Sequence, residues 1–110
     1  MVELEASLGF EDAKALVRRA ITQLGVSVEV AGKLEHDMDG TSLYVVVIEK
    51  YFIRNGSYAS LTIVVTGDDA RSRVEAIPAG AGDGVFNIGF GAHRRFAEDF
   101  EQAMRDAGYE

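Results

Sequence analysis

The chain has 110 residues, one domain's worth, with 47% hydrophobic and 26% charged residues, which is ordinary globular usage. It has no cysteine, so disulfide scaffolds, thiolate metal sites and cysteine nucleophiles are excluded. A net charge of −7 opposes sequence-independent binding to nucleic acid, and no apolar run approaches the roughly 20 residues that span a bilayer. The first residues, Met1-Val2-Glu3-Leu4-Glu5, carry no basic and apolar segments of a signal peptide, so cytoplasmic residence is the expectation.

Val2, Leu4, Ala6 and Leu8 alternate with Glu3, Glu5 and Ser7, the period of a half-buried strand. From Phe10 the period changes. Ala13, Leu16, Val17, Ala20, Ile21 and Leu24 fall on one face of a helix over Phe10–Leu24. Glu11 and Asp12 suit its first turn, and Gly25 suits a left-handed residue after its end. Val26, Val28 and Val30 begin a second strand running to about His36, with Gly32 marking a bulge. Asp37-Met38-Asp39-Gly40 is turn chemistry.

A long strand over Ser42–Arg54, a hairpin turn at Asn55-Gly56 and a return strand over Ser57–Thr66 follow. A two-residue turn sets Phe52 opposite Ala59, Lys50 opposite Leu61, Ile48 opposite Ile63 and Val46 opposite Val65, on the core face. A three-residue turn would exchange the faces. Gly67-Asp68-Asp69 turns the chain into a weaker strand over Arg71–Ile77. Pro78–Gly84 reads as a loop, Val85–Phe90 as one more short strand, and Ala92–Ala107 as the final helix, capped by Gly108.

The order β-α-β-β-β-β-(β)-α gives an α+β two-layer sandwich. Two helices cover one face of a curved antiparallel sheet, an arrangement similar to the TBP-like and helix-grip classes. The chain forms a single domain over residues 1–110.

Four features bear on function. The second face of the hairpin carries Val45, Val47, Tyr51, Ile53, Tyr58 and Val64, more apolar than a wetted face requires, and points to a homodimer interface in preference to a ligand groove. Tyr44, Phe52, Phe86, Phe90, Phe96 and Phe100 would wall a small-ligand pocket between the sheet and the last helix. Gly89, Gly91, His93, Arg94 and Arg95 combine free helix N–H groups with three basic side chains and offer a site for an anion, although Glu98 and Asp99 are placed to pair with the arginines. Glu35, His36, Asp37 and Asp39 lie around a turn, where solvation is favoured over metal binding because an EF-hand's later ligands are missing.

The glycine-rich loop at Gly80, Gly82 and Gly84 lacks the context of a phosphate-binding loop. With two histidines and no nucleophile motif, catalysis has little support, and neither a cofactor nor a metal is expected.

From Tyr44–Arg54 onward, through Asn55-Gly56, Ser60-Leu61-Thr62-Ile63, Gly67-Asp68, Ala76–Ala79 and Phe86-Asn87-Ile88, the chain resembles a family of small, uncharacterised bacterial proteins. The resemblance implies a single α+β domain and supplies no catalytic residue. The reading at this level is a non-enzymatic domain that binds itself. The alternative is a module for a small molecule or anion.

Overall fold

The computed structural model describes residues 1–52, 56–80 and 90–110; the side chains at 52, 57 and 90–93 fall outside that description. Its elements are β1 (Val2–Ala6), α1 (Phe10–Thr22), β2 (Val28–Met38), β3 (Thr41–Phe52), β4 (Ser57–Gly67), β5 (Ser72–Gly80) and α2 (Phe90–Asp106). The α+β architecture is as the periodicities predict. The five strands form one antiparallel sheet in the order β1-β5-β4-β3-β2. The expected extra strand at Val85–Phe90 lies outside the described residues, apart from Phe90, which opens α2.

Four of the strands show the expected alternation, and β2 is exposed on both faces beyond Val28. Val2, Leu4 and Ala6 of β1 are buried, as are Val46 and Ile48 of β3, Leu61, Ile63 and Val65 of β4, and Val74 and Ala76 of β5. Both helices lie over this face. Phe10, Ala13, Val17 and Ala20 of α1 and Phe96, Phe100 and Met104 of α2 complete the core. Burying a large apolar side chain contributes roughly 1.5–3 kcal/mol, so this layer dominates stability.

The β3–β4 register differs from the expected one. Phe52 pairs with Ser57, Lys50 with Ala59, Ile48 with Leu61 and Val46 with Ile63. The slip is two residues, so the same side chains still face the core and hydrophobic alternation cannot distinguish the two pairings. The observed pairing sets Tyr51 opposite Tyr58, with ring centroids 4.9 Å apart, and Val45 opposite Val64. Such cross-strand pairs favour one register over another. The two-residue turn sits instead between β2 and β3. There Met38 pairs with Thr41, and Asp39 (φ 51°) and Gly40 (φ 85°) take the left-handed conformations of a primed hairpin turn. The bulge expected at Gly32 is present between Val30 and Gly32.

Boundaries also move: β2 runs from Val28 to Met38 rather than from Val26 to about His36, and Val26 stands exposed in the turn before it. β5 runs on through Pro78 to Gly80, where a loop was expected. β1 pairs with β5 only as far as Ala76, so Pro78 stands where β5 has become an edge on that side, the setting that tolerates a missing N–H. α1 ends at Thr22, two residues early, and Gly25 keeps its positive φ of 123°. Leu24 turns into the core, and its carbonyl accepts a 2.7 Å hydrogen bond from the Lys50 ammonium. This explains the charge in the core-side row of β3: Lys50 sits at the end of the helix-covered region and binds the C-terminal end of α1.

At the far end, Gly108 (φ 92°) closes α2. Its N–H donates to Arg105, and that of Tyr109 donates to Met104. That is the Schellman arrangement, and it drives Tyr109 into the core at 1% exposure.

Candidate functional site

Among the described residues, no helix or strand covers the face of the sheet turned away from the helices. Its rows follow from the register. One runs Leu34, Val45, Val64, Glu75, Glu3. The next runs Gly32, Val47, Thr62, Ile77. Val45, Val47, Thr62 and Val64 are half-buried by their neighbours, whereas Leu34, Tyr51, Tyr58 and Ile77 are exposed. Gly32 has open space where a Cβ would stand, which leaves a dent beside Val47. Of the side chains expected on this face, Val45, Val47, Tyr51, Tyr58 and Val64 are therefore brought together. Ile53 lies outside the described residues.

The β1 side of this face carries charge. The Arg73 guanidinium bonds Glu5, meets Glu3 at 3.2 Å and approaches Glu75 at 3.5 Å. The charge of Glu75, then those of Glu5 and Glu3, hold Arg73 above its ordinary pKa against a smaller effect of burial. Three carboxylates around one cation leave the patch acidic. No sequence signal announces it, because Glu3 and Glu5 lie some seventy residues from Arg73.

At the end of the same face, Thr41, Thr66, Gly67, Asp68, Arg71 and Arg73 line an open cleft of ≈ 310 Å³. The Asp68 carboxylate accepts from the N–H groups of Ala70 (2.8 Å) and Arg71 (2.9 Å), which hold its pKa below the ordinary value. The Asp68 carbonyl accepts from Phe10 N–H at 2.8 Å, so the β4–β5 turn supports the first turn of α1.

The other predicted groups fall elsewhere. Tyr44, Phe96 and Phe100 are core residues at 7%, 1% and 0% exposure. Phe86 and the side chains of Phe52 and Phe90 lie outside the described residues. Gly89 does too; Gly91 and His93 are within α2, their surroundings undescribed. Arg94 and Arg95 are exposed on α2. Arg94 borders a cleft of ≈ 230 Å³ with Met1, Val2, Pro78, Glu98 and Glu101, so carboxylates share its surroundings.

The turn residues separate by strand alternation. Glu35 and Asp37 share the helix side, where Glu35 accepts from Lys14 at 3.0 Å and Asp37 accepts from the Ser42 hydroxyl at 2.6 Å. His36 pairs with Leu43 across the strands, on the open side. Lys14 also meets Glu11 at 3.2 Å and stands over the rings of Phe10 and Tyr44 at 5.7 and 5.9 Å. The Glu35 hydrogen bond, opposed by some burial and helped by Glu11, raises its pKa. This residue tethers α1 to β2 across β3. Among the described residues, no group of three or more His, Cys, Asp or Glu side chains is placed to hold a metal ion.

One polar pair lies inside the core. The Ser72 and Tyr109 hydroxyls are 2.9 Å apart, and Ser72 is the buried polar side chain of the described residues. Burial pushes the Tyr109 pKa up, and the Ser72 hydrogen bond draws it part of the way back. The sequence signal for Tyr109 was its place after Gly108, where an apolar residue closes a Schellman motif.

Residues 1–108 match the model of a family of unknown function, DUF6054. The chain belongs to that family. No curated protein matches it. The expected kinship with an uncharacterised family therefore holds, over nearly the whole chain rather than its last two-thirds. No helix among the described residues is long and apolar enough to cross a membrane.

Proposed function

We propose that this DUF6054 protein is a non-catalytic interaction module that self-associates through the open face of its sheet. The observation that carries this reading is the apolar centre of that face: Val45, Val47 and Val64, flanked by Leu34, Ile77 and the Tyr51–Tyr58 pair. Charges lie at the margins, with Glu3, Glu5, Arg73 and Glu75 on one side and Glu29 and Glu49 toward the other. An apolar centre with a polar rim is the usual anatomy of a protein interface.

The size fits as well. Five strands about 4.8 Å apart, the longer ones roughly 36 Å long, outline on the order of 800 Å². A standard interface buries about 800 Å² per partner. Two such faces pack as stacked sheets, about 10 Å apart.

Sedimentation velocity over a micromolar concentration series tests this. Val64→Lys places a charge at the middle of the face and is expected to halve the mass of the assembly. Gln102→Lys, on the exposed side of α2, is expected to leave it unchanged. An unchanged mass for folded Val64→Lys would overturn the reading.

A further inference from the structure

Among the described residues β2 is also uncovered, and it is an edge of the sheet. It is eleven residues long, pairs with β3 alone among the described residues, and is exposed on both faces beyond Val28, because the described helices cover the sheet only as far as β3. Val30, Leu34 and Met38 are exposed at 53%, 47% and 67%. Such an edge offers a row of unpaired N–H and C=O groups to another strand.

The sequence of β2 says which strand fits. In an antiparallel pair of identical strands, residues equidistant from the centre face each other. Centred on Lys33, the pairing sets lysine against lysine. Centred on Glu35, it sets glutamate against glutamate, and centred on His36 it sets Glu35 against Asp37 twice. Centred on Leu34, it sets Leu34 against Leu34 and Lys33 against Glu35 on both sides, with Gly32 beside His36. That register alone among the four puts no like charges opposite each other within the strand. Opposite charges in cross-strand pairs stabilise, and like charges destabilise.

We infer that β2 pairs with β2 of a second copy, antiparallel about Leu34, to give one continuous ten-stranded sheet. The faces agree with this. Lys33 and Glu35 pair with Val46 and Tyr44, so both lie on the helix side, while Leu34 pairs with Val45 on the open side. Lys33 of one copy thus reaches Glu35 of the other, where Lys14 already stands. A lysine and a bulge usually guard an edge against indiscriminate pairing. Here Lys33 penalises every strand that does not bring it a carboxylate, and the bulge at Val30 and Gly32 ends the paired stretch.

The two-fold axis runs perpendicular to the sheet, so both open faces remain free on one side. This edge pairing therefore stands or falls independently of association through the open face.

The test uses the full chain carrying Val64→Lys, which removes the open face from consideration. Sedimentation velocity is expected to find two chains per particle. Adding Lys33→Glu sets four carboxylates together and is expected to raise the dissociation constant about tenfold or more. Adding Glu35→Lys together with Lys14→Gln, which removes the cation that would repel the new lysine, restores opposite charges and is expected to recover the dimer. Circular dichroism confirms that each variant is folded. A single chain at high micromolar concentration in the Val64→Lys background overturns the inference, and so does a dimer indifferent to Lys33→Glu. A dimer weakened by Lys33→Glu and not recovered by these added exchanges overturns the Leu34 register.

Discussion

Ser72 and Tyr109 meet where the residues after α2 fold back against β5, and both side chains are buried. Tyr109→Phe leaves the Ser72 hydroxyl buried without its partner, so a loss of about 1–2 kcal/mol in denaturant unfolding is expected. Removing both hydroxyls with Ser72→Ala is expected to recover part of that loss, because an apolar pair avoids the unsatisfied group. The pair also carries a pH dependence. The folded pKa of Tyr109 lies above its ordinary value of 10.0, so the unfolded chain releases the phenolic proton first. The contribution is fully present below pH 10 and is lost as pH rises through the higher folded value. Alkaline unfolding curves of Tyr109→Phe are expected to lack this component. The presence of Tyr109 in the core was open to reading from Gly108 and the C-terminal motif. Its partner was not, because Ser72 is 37 residues away.

At the scale of elements, the chain packs closely where β1, α1 and the β4–β5 turn meet. A Cβ on Gly67 would stand 2.4 Å from the Arg71 carbonyl oxygen, and one on Gly9 would stand 2.5 Å from that of Asp69. Both obstacles are backbone, which cannot rotate away. Gly67→Ala is therefore expected to cost about 1–3 kcal/mol in thermal or chemical unfolding, as overpacking does. The position of the turn was legible in Gly67-Asp68-Asp69. Its support of α1 through Asp68 was not, since nothing local in the sequence brings a turn near residue 68 to the start of a helix at residue 10. The β3–β4 hairpin teaches a related lesson. Alternation assigned its faces correctly, and a two-residue slip leaves alternation intact, so only the cross-strand partners fixed the pairing.

For the whole molecule, the helices are placed asymmetrically over the sheet. They bury β4 completely on one face, with Ala59, Leu61, Ile63 and Val65 at 0% exposure, and leave β2 bare. Native-state hydrogen exchange is expected to reflect this. Amides of β4, paired on both sides, should exchange only through global unfolding, and alternate amides along the outer edge of β2 should exchange orders of magnitude faster in dilute protein. Protection of those β2 amides that grows with protein concentration would accompany edge pairing and would not accompany association through the open face.

The sequence by itself determined both helices and the five described strands, the inward side of β1, β3, β4 and β5, the Gly32 bulge, the Asp39-Gly40 turn and the absence of cysteine chemistry. All of these follow from local conformational preference and from periodicity along one segment. Only the tertiary structure decided that β1 lies beside β5 and β2 at the opposite edge, which gathers Glu3, Glu5 and Glu75 around Arg73 and leaves β2 uncovered. Strand order depends on contacts between residues far apart in the chain, whose free energy no single segment encodes. The surfaces left exposed, where function is proposed, depend on that order.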